Sequence, residues 1–345
     1  MGKVWYSSFL VMMGSITTWF TVLLIVVLKN WFSIDPGMAG IVLTNITAIP
    51  SLTVAYATNI LEIEVNMQSV ERVLQLEKAP AEESEEVEAQ YVEPPENWPT
   101  QGKIELQRYK FRYREGLPLV LKGVSTTIND KEKIGIVGRT GSGKSTLMAG
   151  LFRIEEPAAG RILVDGVDIT TVPLPILRKR MCILPQEATM FSGTIRWNLD
   201  PEGKASDEEM KRVLDLVNID KGLDDAVTEN GENFSLGERQ MICMARALLR
   251  NARILIMDEA TASIDIQTDV MIQEMVRRNF GNCTVLTIAH RLHSIMDSSR
   301  VMVFDAGRLM EMDAPITLID AGTTIFNSLV EQSGCAGELR QMCFA

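Results

Sequence analysis

The sequence predicts an α/β domain of the P-loop type preceded by two membrane-spanning helices. Three observations carry that prediction: two long uncharged stretches near the N-terminus, a G-x-x-x-x-G-K-S segment set between a strand-like run and a helix-forming one, and an apolar run that ends in adjacent carboxylates. With 345 residues at 46% hydrophobic composition, the chain has enough apolar surface for one large domain and a smaller one. Its formal net charge of −11 argues against a nucleic-acid partner, because a phosphate backbone rewards clustered Lys and Arg. Five cysteines, Cys182, Cys243, Cys283, Cys335 and Cys343, include no C-x-x-C pair. They read as reduced cytosolic thiols, not as a zinc site or a disulfide frame.

The run FLVMMGSITTWFTVLLIVVL, residues 9–28, carries no charge and at about 1.5 Å per helical residue is long enough to cross a bilayer core. It reads as a transmembrane helix. The competing reading, a signal peptide, calls for a shorter apolar stretch and a small-residue cleavage site, whereas this run ends in LKNWF. An N-terminal Met-Gly raises myristoylation, but that motif wants Ser or Thr where Tyr6 stands. A second, weaker span over 38–60 follows the tight Asp35-Pro36-Gly37 turn. Its Thr44, Asn45, Thr47, Pro50, Ser51 and Asn59 would be costly against lipid, so the sequence predicts that they face other helices or a water-filled path; a buried helix of a soluble protein is the alternative. Ile60, Ile63, Met67, Val70 and Leu74 recur at helical spacing among Glu and Arg, which predicts that the helix continues into water to residue 76 or so. Residues 1–76 are thus expected to form a partial transmembrane domain. Residues 77–100, dense in Glu and Pro, are expected to be a solvated acidic linker. Short β-rich runs alternating with amphipathic ones over 101–334 predict the α/β domain, and 335–345 read as a tail.

The strand-like KIGIV runs into Gly138-Arg139-Thr140-Gly141-Ser142-Gly143-Lys144-Ser145, and Thr146 then enters the helix-forming TLMAGLF. In a P-loop the glycines let backbone N–H groups approach phosphates, the helix N-terminus favours their charge, Lys144 reaches the outer phosphates and the Ser145 hydroxyl can ligate Mg²⁺. ATP and Mg²⁺ are the expected ligands. In RILIMDE, Asp258 is placed to hold the Mg²⁺ shell and Glu259 to orient or deprotonate an attacking water. A lone Asp-Glu pair would more often be a solvated loop; the four preceding apolar residues and the upstream P-loop favour chemistry.

Between these elements lies FSLGERQMICMARALL, and with it the chain resembles the ABC transporter family, whose signature motif is usually LSGGQ at the head of a helix. The resemblance implies a helical subdomain in the α/β domain, and Ser235 and Gly237 as the signature residues that contact nucleotide held by a partner domain. It further implies that Gln186 in ILPQEATMF is the Q-loop glutamine near Mg²⁺, that Asp265 in TASID belongs to the D-loop, that His290 in TIAH is the switch histidine, and that Tyr113 in FRYREG stacks on adenine. Taken singly, Gln186 could be a strand-to-loop turn residue, His290 a satisfied helix-start residue and Tyr113 a core-facing aromatic alternating with Tyr109 and Phe111. The other histidine, His293, has no expected role and is expected to face solvent.

EGLPLVLKGVS, FSGTIRWNLDP and ICMARALLRNARILIMDEATASID bring the resemblance closest to the second nucleotide-binding domain of subfamily C, the multidrug-resistance-associated pumps. Members have six helices per transmembrane half, so the chain looks like a truncated product or fragment. It departs from the family at Leu236 and Glu238, where LSGGQ has Gly and Gln, and in a short run from Asn218 to Gly231. The resemblance implies ATP hydrolysis coupled to export of organic anions or conjugates, an integral membrane location with a cytosolic nucleotide-binding domain, and, as partners, the remaining transmembrane helices, lipid, the transported molecule and a second, non-identical nucleotide-binding domain. A soluble ABC ATPase acting on ribosomes or DNA, a regulatory or channel-type relative, and a non-functional fragment are the competing classes.

Overall fold

A computed structural model describes residues 2–29, 31–32, 35–77, 82, 91–258, 266–289 and 291–342. The chain divides into two compact units, Met1–Ser84 and Glu85–Ala345. The first is a helical hairpin of α1 (Gly2–Leu28) and α2 (Pro36–Glu77). Both are long and apolar enough to cross a membrane. They meet where Gly14 faces Pro50: a Cβ on Gly14 would stand 2.4 Å from the proline Cβ.

Four of the polar residues of α2 form hydrogen bonds within their own helix. Thr44, Asn45, Thr47 and Ser51 each donate to a backbone carbonyl three or four residues back in their own helix. That back-bonding satisfies the donor inside the helix and lowers the cost of an apolar surround.

The second unit is built on two sheets. An antiparallel sheet runs in the order β2-β1-β4-β5, from β1 (Ile104–Phe111), β2 (Leu121–Ile128), β4 (Ala159–Val164) and β5 (Val167–Asp168). A six-stranded sheet runs in the order β12-β11-β3-β10-β9-β6; its members are β3 (Lys133–Gly138), β6 (Met181–Leu184), β9 (Ile254–Asp258), β10 (Thr284–Ile288), β11 (Arg300–Asp305) and β12 (Arg308–Asp313). All its pairings are parallel except β11 with β12. Strands β3, β9, β10 and β11 are apolar and buried over most of their length, as parallel strands covered on both faces must be.

One core lies between the two sheets around α3 (Lys144–Leu151), where Phe111, Leu121, Ile136, Leu147 and Phe304 meet. Leu174 and Leu177 of α4 (Leu174–Arg180) belong to this first core. A second core gathers α5 (Ile195–Leu199), α6 (Asp207–Leu216), α7 (Leu236–Arg250) and α8 (Ile266–Asn279), with the two-residue strands β7 (Gly193–Thr194) and β8 (Ala226–Val227) beside them; its centre is the buried face of α7, Ile242, Met244 and Ala245, against Leu199, Met210 and Leu255. The third backs β11 with α9 (Pro315–Asp320), α10 (Ile325–Gln332) and α11 (Ala336–Met342). Cys182, Cys243 and Cys283 are free and buried, and burial holds each thiol above its ordinary pKa, Cys182 at about 11. Cys343 lies outside the described residues.

The predicted linker is not solvated to its end. Trp98 is 3% exposed and its indole N–H donates to the Val164 carbonyl at 2.9 Å, while the Val92 N–H donates to Thr171 O at 2.8 Å. A single large aromatic outweighs the polar composition around it, because burying it contributes more than several exposed glutamates oppose.

Candidate nucleotide site

Strand β3 delivers the chain to a loop with three glycines at positive φ, Gly138, Gly141 and Gly143. Gly138 has φ 152° and a Cβ there would lie 2.3 Å from the Phe304 carbonyl; Gly143, with φ 104°, caps α3 in a left-handed conformation. The loop brings Arg139, Thr140, Gly141 and Ser145 to the surface, with Ser142 and Thr146 buried beneath them. Lys144 folds over the loop, its ammonium donating to Gly138 O at 2.8 Å and Arg139 O at 3.3 Å. The Ser142 hydroxyl oxygen is buried and has no hydrogen-bond partner among the described residues. A buried hydroxyl and a lysine curled onto two loop carbonyls thus lie together at the head of α3.

Tyr113 stands beside this loop. Its ring meets Phe111 edge-on at 5.3 Å and its hydroxyl lies 3.1 Å from the Thr146 hydroxyl, but the side chain is 45% exposed. It is therefore outside the core that holds Tyr109 and Phe111.

Asp258 ends β9, paired with Ile288 of β10, which in turn pairs with Ile136 of β3. It thus sits two strands from the P-loop at the same end of the sheet, roughly 10 Å across at ordinary strand spacing. Gln186 follows β6, the strand on the other side of β9, and is exposed. Ser145, Gln186 and Asp258 offer hydroxyl, amide and carboxylate oxygens, the donor set that suits Mg²⁺. Glu259, Asp265 and His290 fall outside the described residues.

Ser235 and Gly237 open α7. Ser235 is its N-cap, and a reciprocal capping box joins it to Glu238: the Glu238 N–H donates to the serine Oγ at 3.2 Å, and the Ser235 N–H and Oγ–H donate to the glutamate Oε2 at 2.8 and 2.9 Å. The Ser235 N–H holds the Glu238 carboxyl below the usual carboxylate range, against partial burial and with help from the serine hydroxyl and Lys221. Neither Leu236 nor Gly237 has a positive φ. The departure at 236 therefore places no strain on the backbone; the departure at 238 puts a carboxylate at the positive end of a helix.

Two polar residues that sequence reading passed over hold the Q-loop in place. The Gln240 amide, 1% exposed, donates to Pro185 O at 3.2 Å and Gln186 O at 3.1 Å. Arg246 donates to Thr189 O at 2.9 Å, to Asn198 O at 2.6 Å and to its Oδ1 at 2.8 Å. The sequence did carry a signal: Gln240 shares the helical face of Cys243 and Ala247, which are both buried. His293, expected in solvent, instead reaches the buried Asp269 carboxylate on α8 at 2.8 Å.

The chain is similar to known proteins over most of its length. The family model described as ABC transporter matches residues 121–262. ATP-binding cassette sub-family C member 3 of Mus musculus is 43% identical over 344 residues, 96% of this chain and 22% of that protein. Sub-family C member 2 of Homo sapiens is 43% identical over 325 residues, 91% of this chain and 20% of that one. This chain thus spans about a fifth of the length of these relatives. Among solved structures, a bacterial Atm1-family ABC exporter with ATP bound superposes with a TM-score of 0.67 at 27% identity, over 86% of this chain and 52% of that chain.

Proposed function

The chain belongs to the ABC transporter family, and we propose on that premise that its second unit binds and hydrolyses Mg-ATP and couples the reaction to export of a small molecule across a membrane. What supports the reading is the loop of residues 138–146, with a buried hydroxyl that has no partner among the described residues and a lysine folded onto the Gly138 and Arg139 carbonyls. In this account Lys144 and the loop amides bind the phosphates, Ser145, Gln186 and Asp258 would hold Mg²⁺, and Tyr113 supports the adenine. Bound Mg²⁺ would neutralise charge on the phosphates. Glu259 takes or orients the proton of the attacking water, and His290 holds the γ-phosphate. Ser235, Gly237 and Asp265 serve a site shared with a second nucleotide-binding domain.

That second domain is proposed to be a different one, because Glu238 burdens this chain's own signature with a negative charge. Organic anions or conjugates are the proposed cargo on the strength of the subfamily C likeness. The two apolar helices and the family support an integral membrane location with the nucleotide-binding unit in the cytosol. Replacing Glu259 with Gln tests the reading: in an ATP-hydrolysing assembly the variant should keep ATP affinity and lose about 10²–10⁴ in turnover. Near-normal hydrolysis would assign the role to another group.

A further inference from the structure

We propose that Lys221 is a phosphate-facing residue of the shared nucleotide site, its ammonium taking an outer phosphate of nucleotide that the partner domain binds. The proposal rests on the preceding assignment of Ser235 and Gly237 to that site.

Lys221 stands in the run between α6 and β8, and the fold gives it a fixed root. Ile219 and Leu223 on either side of it are buried. The turn is fastened on itself, the Gly222 N–H donating to the Asp225 carboxylate at 2.9 Å and the Asp225 N–H to Gly222 O at 3.2 Å. It is also fastened to α5, where the Ile195 and Arg196 N–H groups donate to Asp225 O at 3.1 Å and to Leu223 O at 2.7 Å. From this root the lysine reaches the head of α7. Its Nζ lies 3.7 Å from the centre of the Phe234 ring, one residue before Ser235, and 3.8 Å from Glu238 Oε1, three residues after it.

Neither contact accounts for the charge. The pair with Glu238 is long and partly in water, the side chains being 28% and 38% exposed, and such pairs contribute little. The capping box closes through the other carboxylate oxygen, Oε2, without the lysine. Over Phe234 a methionine would pack as well as the lysine stem does. What only a cation supplies is positive potential at the turn where an anion held by the partner would meet Ser235 and Gly237, answering in part the charge of Glu238. The stem is flexible and the ammonium donates in three directions, so a phosphate oxygen can replace Glu238 Oε1 as its acceptor.

Sedimentation of the full chain in detergent with Mg-ATP, at low and at high salt, tests the assignment. The parent for the test carries Leu236→Gly with Glu238→Gln, so that Lys221 has no carboxylate at 238 to hold and its charge acts on the nucleotide alone. Adding Lys221→Met should weaken ATP-dependent self-association about tenfold, roughly threefold for each of two shared sites, and flatten its salt dependence. Adding Lys221→Arg, which keeps the charge, should leave both as in the parent. Equal association of the parent and the methionine variant, or a loss that is the same at every salt concentration, would overturn the proposal and leave Lys221 as packing on Phe234. A parent that does not associate with Mg-ATP would instead bring down the assignment of Ser235 and Gly237 to a shared site, and the proposal with it.

Discussion

A methyl group added at Gly138 would have to enter space held by the Phe304 carbonyl oxygen, 2.3 Å away, on a backbone at φ 152°. Gly138→Ala should therefore destabilise the second unit by about 1–3 kcal/mol and remove ATP binding, read by thermal denaturation and by nucleotide titration. An alanine variant with wild-type melting and affinity would show that the loop relaxes freely. This residue was legible in the sequence because the P-loop is contiguous: strand, glycines, lysine and helix follow one another without a break. Gln240 was not, since the carbonyls it holds lie 54 and 55 residues away, and no local pattern reports such a pairing. The same holds for His293 and Asp269, 24 residues apart.

At the scale of the element, α7 shows how one substitution can serve the fold and oppose a ligand. The capping box satisfies N–H groups at the start of the helix, while the carboxylate offsets the positive end that would attract a phosphate. A carboxyl held below its unfolded pKa gives stability that is present above the ordinary value near 4.3–4.5 and lost as pH falls through the lowered one. At neutral pH, then, the cap is complete and the charge fully expressed. The double change Leu236→Gly with Glu238→Gln keeps a residue that can cap and removes the charge. It should strengthen ATP-dependent self-association, measured by sedimentation; equal association in the two forms would show the charge to be neutral in effect and remove the reason for a non-identical partner. Leu236, where the signature usually has Gly, is an ordinary first-turn helical position without a positive φ, so its backbone is unstrained. Elements read by composition fared unevenly. The spans 9–28 and 38–60 lie within α1 and α2, whereas Trp98 and Val92 anchor what composition marked as free linker.

On the scale of the whole molecule, the chain contains a two-helix unit and a unit built mainly on two sheets, and it covers about a fifth of the length of its sub-family C relatives. The α/β class followed from alternating β-rich and helical runs, but the division into an antiparallel sheet and a mainly parallel one did not, since pairing of β1 with β4 spans more than fifty residues of sequence. All of the proposed activity depends on nucleotide binding the loop at the end of β3. Equilibrium titration of Mg-ATP into the full chain and into its Lys144→Ala variant addresses that point alone, without a partner domain or a transported molecule. The account predicts saturable binding by wild type and its loss or severe weakening in the variant; equal affinity in the two would contradict it.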